Sequence, residues 1–298
     1  MADESMMAQI AGKQGFLAAL DQSGGSTPGA LRQYGIPDGA YSGDAEMFRL
    51  MHEMRVRVVT APSFSGDKVI GAILFEGTMN GLAAGKSVPA YLWEDRGIVP
   101  FLKIDKGLEA EADGVRLMKP IPALDPLLAQ AVGLGIFGTK MRSVINLASR
   151  SGIAAIVAQQ FKLAGQIAQH GLVPILESEV LIGSPAKAEA ETILRDELRK
   201  ALDALPGDYP VMLKLTIPEI PDHYAALIDH PRVIRVVALS GGYTLDDACT
   251  RLAANHGMIA SFSRALLDDL RRGMSDVEFD AILAAVIDKI YRASTVKH

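Results

Sequence analysis

Four ionisable side chains recur at equal intervals along the 298-residue chain, and their types suit covalent and proton-transfer chemistry. The intervals from Lys103 to Lys140, from Lys140 to Glu177 and from Glu177 to Lys214 are each 37 residues. Equal intervals predict that the four residues occupy the same height in successive repeating units. We therefore expect them to converge on one pocket.

Two of these residues have the properties of a nucleophile and its proton shuttle. Lys214 lies inside the apolar run 211–215, where a charged amine is costly unless it is paired or neutral. A desolvated lysine beside a second cation has a lowered pKa, as a Schiff-base nucleophile requires. Glu177 would act as general acid and base if burial raises its pKa, with like-charge repulsion from Glu179 adding to the effect. Taken singly, each is more often a solvated residue leading into a loop.

Short apolar segments carry these residues at or near their carboxyl ends. The segments lack alternation of apolar and polar residues, which is typical of strands buried on both faces of a parallel sheet. The predicted strands are residues 15–21, 69–75, 100–105, 134–140, 172–178, 209–216, 233–240 and 258–263.

Amphipathic segments separate these strands. Residues 47–54, 153–167 and 187–205 have helical patterns, and Ser275 with Glu278 forms the capping box of a last helix. Eight strands, each followed by a helical or long segment, are typical of a (β/α)8 barrel, the TIM barrel of the α/β class. The carboxyl ends of all strands would then open on one face, where active sites lie.

Composition favours one globular domain. The chain is 49% hydrophobic and 22% charged, and no linker or low-complexity tract divides it, so residues 1–298 are predicted to form a single barrel domain. Thirty Lys and Arg against thirty-five Asp and Glu give a net charge of -5, with no long run of like charge. Nucleic acid and membrane surfaces are therefore not expected partners.

No metal, nucleotide cofactor or export signal is expected. The lone cysteine, Cys249, cannot form an internal disulfide, and the six histidines lack metal-ligand spacing. Residues 133–138 match G-x-G-x-x-G, but they precede a predicted strand and no acidic residue follows about 20 positions later. The acidic N-terminus and the absence of a long apolar run predict a cytoplasmic protein.

A candidate phosphate site follows the seventh and eighth predicted strands. Ser240, Gly241 and Gly242 end the seventh strand, where glycines let backbone N–H groups approach an anion. Arg264 follows the eighth strand and would add a bidentate contact. Loops after these two strands commonly bind phosphate in this fold.

Six motifs in order give the chain a family resemblance, although each alone is weak. They are LDQSGG at 20–25, LKIDKG at 102–107, TKMR at 139–142, PILESE at 174–179, LK at 213–214 and LSGG at 239–242. Together they resemble the class I, Schiff-base fructose-1,6-bisphosphate aldolases, most closely the short bacterial branch. The resemblance covers about residues 15–294.

The resemblance implies roles for individual residues. Lys214 would attack the ketone carbon of the sugar phosphate, Glu177 would shuttle protons with support from Glu179, and Lys140 would hold that carboxylate and the substrate oxygens. Asp21 would take the hydroxyl proton when the bond between the third and fourth carbons breaks. The remaining contacts, to the two ends of the phosphorylated sugar, would come from Ser240, Gly241, Gly242, Arg264, Lys103, Arg142 and Ser26. No metal is implied.

Departures from the family pattern leave the substrate open. Gly29 and Ala30 stand where vertebrate members carry a Lys-Arg pair for the second phosphate, and Arg32 is the nearby cation that would take their place. The leading hypothesis is reversible cleavage of fructose 1,6-bisphosphate in glycolysis and gluconeogenesis. The alternatives are a Schiff-base aldolase for a monophosphorylated ketose or another aldehyde acceptor, and an inactive barrel that serves as a scaffold. The family includes tetramers, which leaves a homo-oligomer open.

Overall fold

The computed structural model of the chain describes residues 3–23 and 27–298. Within them, the main sheet has nine strands, of which Val115–Arg116 is short and antiparallel. The other eight are parallel, and we number them in chain order. They are β1 Phe16–Leu20, β2 Val69–Leu74, β3 Val99–Lys103, β4 Gly138–Ile145, β5 Val173–Val180, β6 Val211–Thr216, β7 Val233–Leu239 and β8 Met258–Phe262.

These strands close into a barrel. Each pairs in parallel with the next strand along the chain, and β8 returns to pair with β1. The predicted (β/α)8 barrel is therefore confirmed. Because every strand runs in the same direction, all carboxyl ends open on one face of the barrel.

Helices cover the outer wall of the barrel and its amino-terminal end. Those of seven or more residues are α1 Glu4–Gly12, α2 Thr27–Gln33, α3 Gly43–Thr60, α4 Leu124–Gly133, α5 Arg150–Gln169, α6 Lys187–Asp203, α7 Leu245–Ala253 and α8 Asp276–Thr295. Shorter helical turns lie at Asp38–Ala40, Glu76–Met79, Val88–Ala90, Tyr91–Asp95, Ala225–Ile228 and Arg264–Leu267, and short strands at Leu82–Ala83, Lys86–Ser87 and Val115–Arg116. The predicted helices lie in α3, α5, α6 and α8, and the capping box of Ser275 and Glu278 is formed. In the part of the chain that the structure describes, no helix is long and apolar enough to cross a membrane.

The fourth strand begins later than the sequence pattern predicts. Residues 134–140 are predicted as strand, whereas β4 begins only at Gly138. Helix α4 ends in a Schellman motif, in which Gly135 has a φ of 78° and the Ile136 N–H donates to the Ala131 carbonyl oxygen. Leu134 and Ile136 therefore belong to the cap that ends the helix, and Phe137 connects this cap to β4.

The strand register sets the heights of the four regularly spaced residues. Lys103 pairs with Lys140, and Glu177 pairs with Lys214, as the equal spacing predicts. The predicted equal height does not hold between β4 and β5, because Lys140 lies opposite Ile175, two residues before Glu177. Barrel strands tilt, so a stagger of two residues across two strands keeps alternate strands in one layer of side chains. Lys140 and Lys214 therefore share a layer, and Glu177 lies between them, one step nearer the open face.

Apolar side chains fill the barrel interior below this layer. The interior cluster includes Leu17, Phe101, Ile175, Met212 and Val237, all fully buried, and Met6 and Ile10 of α1 close its amino-terminal end. A second, larger cluster lies between the sheet and the surrounding helices. The apolar side chains thus occupy the lower barrel and its outer wall, while the charged side chains lie at the carboxyl end.

Candidate active site

Lys214 and Glu177 contact each other inside the carboxyl end of the barrel. They are paired residues of β6 and β5, so their side chains point to the same face of the sheet. Lys214 Nζ lies 3.1 Å from Glu177 Oε1, and the two residues are only 3% and 4% exposed. A buried amine beside a carboxylate can exchange a proton with it directly.

Lys140 extends this pair into a row of alternating charge. Its Nζ lies 2.8 Å from Glu177 Oε2 and 2.7 Å from Asp21 Oδ2. Asp21 follows β1 directly and, like Lys140, is buried. Four predicted catalytic residues are thus in contact in the order Lys214, Glu177, Lys140, Asp21, and we call this set the charged row.

Opposite charges in the row favour the ionised forms of Asp21, Glu177 and Lys140. Burial would raise the pKa of Asp21 and of Glu177, but the ammonium groups of Lys140 and Lys214 outweigh it and lower both pKa values. Burial would lower the pKa of Lys140, and the carboxylates of Asp21 and Glu177 reverse this and raise it. The prediction that the pKa of Glu177 is raised is therefore wrong, because two ammonium groups contact its oxygens.

Glu179 belongs to a second ion pair nearer the rim. Arg142 Nε donates to Glu179 Oε2 at 2.6 Å, and the Arg142 side chain is 35% exposed. Burial would lower the pKa of Arg142, but the Glu179 carboxylate outweighs this effect and raises it. Glu179 thus neutralises Arg142 rather than acting on Glu177 by repulsion. A catalytic part for Glu179 stays a prediction.

Asp105 is a buried carboxylate to which the sequence analysis assigns no role. Its Oδ1 lies 2.8 Å from Lys103 Nζ, and its Oδ2 lies 3.8 Å from Lys140 Nζ. It therefore connects Lys103 to the charged row. The signal that points to it is its position two residues after Lys103, beyond the end of β3.

The loop after β7 allows a close approach of its backbone. Gly241 and Gly242 have φ values of 62° and 109°, and a Cβ on Gly241 would lie 2.7 Å from Ile182 Cγ2. A Cβ on Gly242 would lie 3.6 Å from Arg264 Nη2, so the guanidinium is beside the loop. The structure thus brings Gly241, Gly242 and Arg264 together next to the buried Ser240. Successive left-handed residues present N–H groups that suit an anion.

The segment after β1 offers less for a second phosphate. Ser26, predicted to contact substrate, lies outside the described residues. Arg32 is held by Asp38, since its Nη1 lies 2.8 Å from both carboxylate oxygens. Gly29 and Ala30 line a cavity of about 320 Å³ that also reaches Arg264.

The part of the chain that the structure describes contains no cluster of metal ligands and no reactive thiol. Within residues 3–23 and 27–298, no group of three or more His, Cys, Asp or Glu side chains could hold a metal ion. Cys249 is buried in α7, and burial raises the pKa of its thiol to about 11, so it stays protonated at neutral pH.

Comparisons with known proteins identify the family of the chain. A family model described as fructose-bisphosphate aldolase class-I matches residues 10–216. The fructose-bisphosphate aldolase class 1 of Synechocystis sp. is 54% identical over 292 residues, which cover 98% of this chain and 97% of the relative. The protein of the same name from Porphyromonas gingivalis is 53% identical over 292 residues, with 98% and 99% covered.

Solved structures support the fold. The fructose-bisphosphate aldolase of Plasmodium falciparum, solved in complex with TRAP and a small-molecule inhibitor, has a TM-score of 0.74 at 19% identity, covering 99% of this chain and 95% of that one. The fructose-bisphosphate aldolase of Slackia heliotrinireducens has a TM-score of 0.55 at 15% identity, covering 97% and 88%. At these identities the likeness concerns the fold alone.

Proposed function

The chain belongs to the class I fructose-bisphosphate aldolase family, and from that premise we propose how its own residues carry out the reaction. The enzyme is an aldehyde-lyase that cleaves fructose 1,6-bisphosphate reversibly into dihydroxyacetone phosphate and glyceraldehyde 3-phosphate, in glycolysis and gluconeogenesis. The proposal depends above all on the charged row, which places the Lys214 amine against the buried Glu177 carboxylate and joins that carboxylate through Lys140 to Asp21.

Lys214 forms the Schiff base in this proposal. Glu177 Oε1, 3.1 Å from Lys214 Nζ, first accepts a proton from the Lys214 ammonium and frees the amine. The amine attacks the ketone carbon, and Glu177 passes this proton to the carbonyl oxygen, which gives a carbinolamine. Glu177 then accepts a second proton from the same nitrogen and gives it to the departing hydroxyl, which leaves as water. Since the pKa of Glu177 is lowered by Lys140 and Lys214, it begins the cycle as a carboxylate.

Asp21 accepts the proton in the cleavage step. It removes the proton of the hydroxyl on the fourth carbon, that carbon becomes an aldehyde, and the electron pair of the broken carbon–carbon bond moves into the iminium. The positively charged nitrogen on Lys214 is the electron sink, so a metal Lewis acid is unnecessary. Lys140 contacts both Asp21 and Glu177, and its charge keeps both carboxylates ionised for their steps.

The phosphate on the ketone half binds to Ser240, Gly241, Gly242 and Arg264. The backbone N–H groups of the glycine loop and the adjacent guanidinium supply donors and positive charge at one place. Lys103 and Arg142 serve the other end of the sugar, although each is paired with a carboxylate, Asp105 and Glu179 respectively. Substrate therefore competes with these ion pairs.

Absence of a cofactor and a cytoplasmic location complete the proposal. Class I members use a lysine Schiff base in place of a metal, and we extend this to the present chain. Treatment with a chelator should leave cleavage of fructose 1,6-bisphosphate unchanged, whereas loss of activity that Zn²⁺ restores would contradict this part.

Replacing the nucleophile tests the proposed function. The Lys214→Met variant should lose fructose 1,6-bisphosphate cleavage by several orders of magnitude. Lys200→Met is the matched control, since the Lys200 side chain is 80% exposed on α6 and should give wild-type rates. A Lys214→Met protein with full activity would exclude this lysine as the nucleophile.

A monophosphorylated ketose is a second candidate substrate. It is favoured by the pairing of Arg32 with Asp38, which leaves that guanidinium occupied. The ratio of kcat/KM for fructose 1,6-bisphosphate to that for fructose 1-phosphate decides between the two. A ratio near one supports the monophosphate, and a ratio of about 100 or more supports the bisphosphate.

A further inference from the structure

Arg55 is a buried cation on α3 that the reaction described above does not use. The residue is only 1% exposed, and it occupies the inner face of a helix whose neighbouring buried residues are Met51, Met54 and Val58. Transferring a guanidinium into a protein interior is costly unless its donors find acceptors. Its contacts therefore indicate what it holds in place.

Those contacts lead directly to the charged row. Arg55 Nη2 donates to the backbone carbonyl oxygen of Gln22, the residue immediately after Asp21. Arg55 Nη1 donates to Thr78 Oγ1 at 2.9 Å, and the guanidinium lies 5.8 Å from the centre of the Phe75 ring. The cation thus ties the end of β1 to α3 and to the segment after β2.

Through Gln22, Arg55 is also linked to the segment after β8 that carries Arg264. The Gln22 side-chain amide donates to Ser263 Oγ at 2.7 Å, and Ser263 directly precedes Arg264. A fixed backbone at Gln22 therefore fixes the positions of two groups. One is the Asp21 carboxylate, and the other is the start of the segment that carries Arg264.

We propose that Arg55 is a positioning residue for the cleavage step, which holds the backbone at Gln22 so that the Asp21 carboxylate meets both Lys140 and the substrate hydroxyl. The inference rests on the proposed function, because it assigns Arg55 a task only if Asp21 is the proton acceptor. Arg55 remains a cation throughout, since burial lowers its pKa only to about 10 and the Asp21 carboxylate opposes the shift. Its positive charge also favours the ionised form of Asp21.

Two readouts separate positioning from general structural support. Trapping of dihydroxyacetone phosphate on Lys214 by borohydride needs the Schiff base but not the transfer of a hydroxyl proton to Asp21. Cleavage of fructose 1,6-bisphosphate needs both. Arg55→Met should lower kcat for cleavage about tenfold or more and keep the trapping rate within about twofold of wild type. Equal loss of both, or no loss of either, would overturn the proposal.

Arg57→Met is the matched control on the same helix. Arg57 donates to the carbonyl oxygens of Arg272 and Met274 and pairs with Asp276, so it supports the structure away from the charged row. Both readouts should stay within about twofold of wild type, as distant contacts predict. A cleavage loss equal to that of Arg55→Met would show that any lost α3 arginine has this effect, and the proposal would fall.

A double-mutant cycle and a milder variant complete the test. If Arg55 acts through Asp21, Arg55→Met should cause no further loss of cleavage in the Asp21→Asn background, whereas independent effects would multiply. Should Arg55→Met not fold, Thr78→Val removes one acceptor of the guanidinium and keeps its charge, and cleavage alone should fall. A wild-type protein that forms no adduct would overturn the proposed function itself, a result distinct from a normal adduct with an unaffected Arg55→Met variant.

Discussion

At the scale of single residues, the charged row divides the chemistry into two parts that mutation can separate. We propose that Lys214 and Glu177 make the Schiff base, whereas Asp21, which contacts the row on the far side of Lys140, acts only when the carbon–carbon bond breaks. We expect Asp21→Asn to lower kcat for fructose 1,6-bisphosphate cleavage about 10²- to 10⁴-fold, because a general base is lost. Borohydride trapping of dihydroxyacetone phosphate should persist. Loss of trapping in this variant would place Asp21 in Schiff-base formation instead.

The same carboxylate makes stability depend on acid pH. Lys140 and Lys214 lower the pKa of Asp21 in the folded state below its unfolded value of about 3.9. Asp21 therefore contributes stability that is fully present above about pH 4 and is lost as the pH falls through the folded pKa. Urea unfolding at pH 5 and pH 3 measures the free energy of unfolding of wild type and of Asp21→Asn. The difference between the two proteins should be smaller at pH 3. A constant gap would contradict the ion pair.

At the scale of elements, the glycine loop after β7 has a backbone conformation that a larger residue at Gly241 would disturb. Alanine at Gly241 meets both a φ of 62° and a Cβ only 2.7 Å from Ile182 Cγ2. Gly241→Ala should raise KM for fructose 1,6-bisphosphate about tenfold or more, because the displaced N–H groups no longer suit the phosphate. Gly183→Ala is the control, since nothing lies within 4 Å of its Cβ position. Equal KM values for the two variants would exclude the loop from phosphate binding.

Element types followed from the sequence better than element boundaries and contacts did. Apolar runs without alternation predict parallel strands, and the capping box of Ser275 and Glu278 predicts the start of α8. The predicted start of β4 is wrong because Leu134 and Ile136 are apolar residues of the cap that ends α4, where the Ile136 N–H donates back to the Ala131 carbonyl oxygen. Equal spacing predicts convergence of the lysines, but not the two-residue stagger between β4 and β5.

The sequence pattern does not predict which side chains contact each other in the folded chain. The contact between Arg55 and Gln22 joins residues 33 positions apart on a helix and a loop, and no periodicity marks it. The direction of the Glu177 pKa shift likewise depends on which of the nearby charges is in contact. Glu179 is nearer in sequence, whereas Lys140 and Lys214 lie against its oxygens.

At the scale of the whole molecule, the charged row and helix α1 lie at opposite ends of the barrel. Helix α1 closes the amino-terminal end, where Ile10 is fully buried in the interior cluster and the Arg235 guanidinium donates to its carbonyl oxygen. Ile10→Ala should lower the free energy of unfolding by about 2–5 kcal/mol through the cavity it leaves. At a temperature where the variant is folded, kcat should stay within about twofold of wild type. A large fall in kcat would show that the two ends are coupled.

Trapping the covalent intermediate tests the central claim most directly. The protein is incubated with dihydroxyacetone phosphate, reduced with borohydride and digested, and the peptide that gains mass is located by mass spectrometry. We expect a single adduct on Lys214, absent from the Lys214→Met variant. An adduct on Lys140 instead, or none on the folded wild-type protein, would contradict the assignment of Lys214 as the Schiff-base lysine.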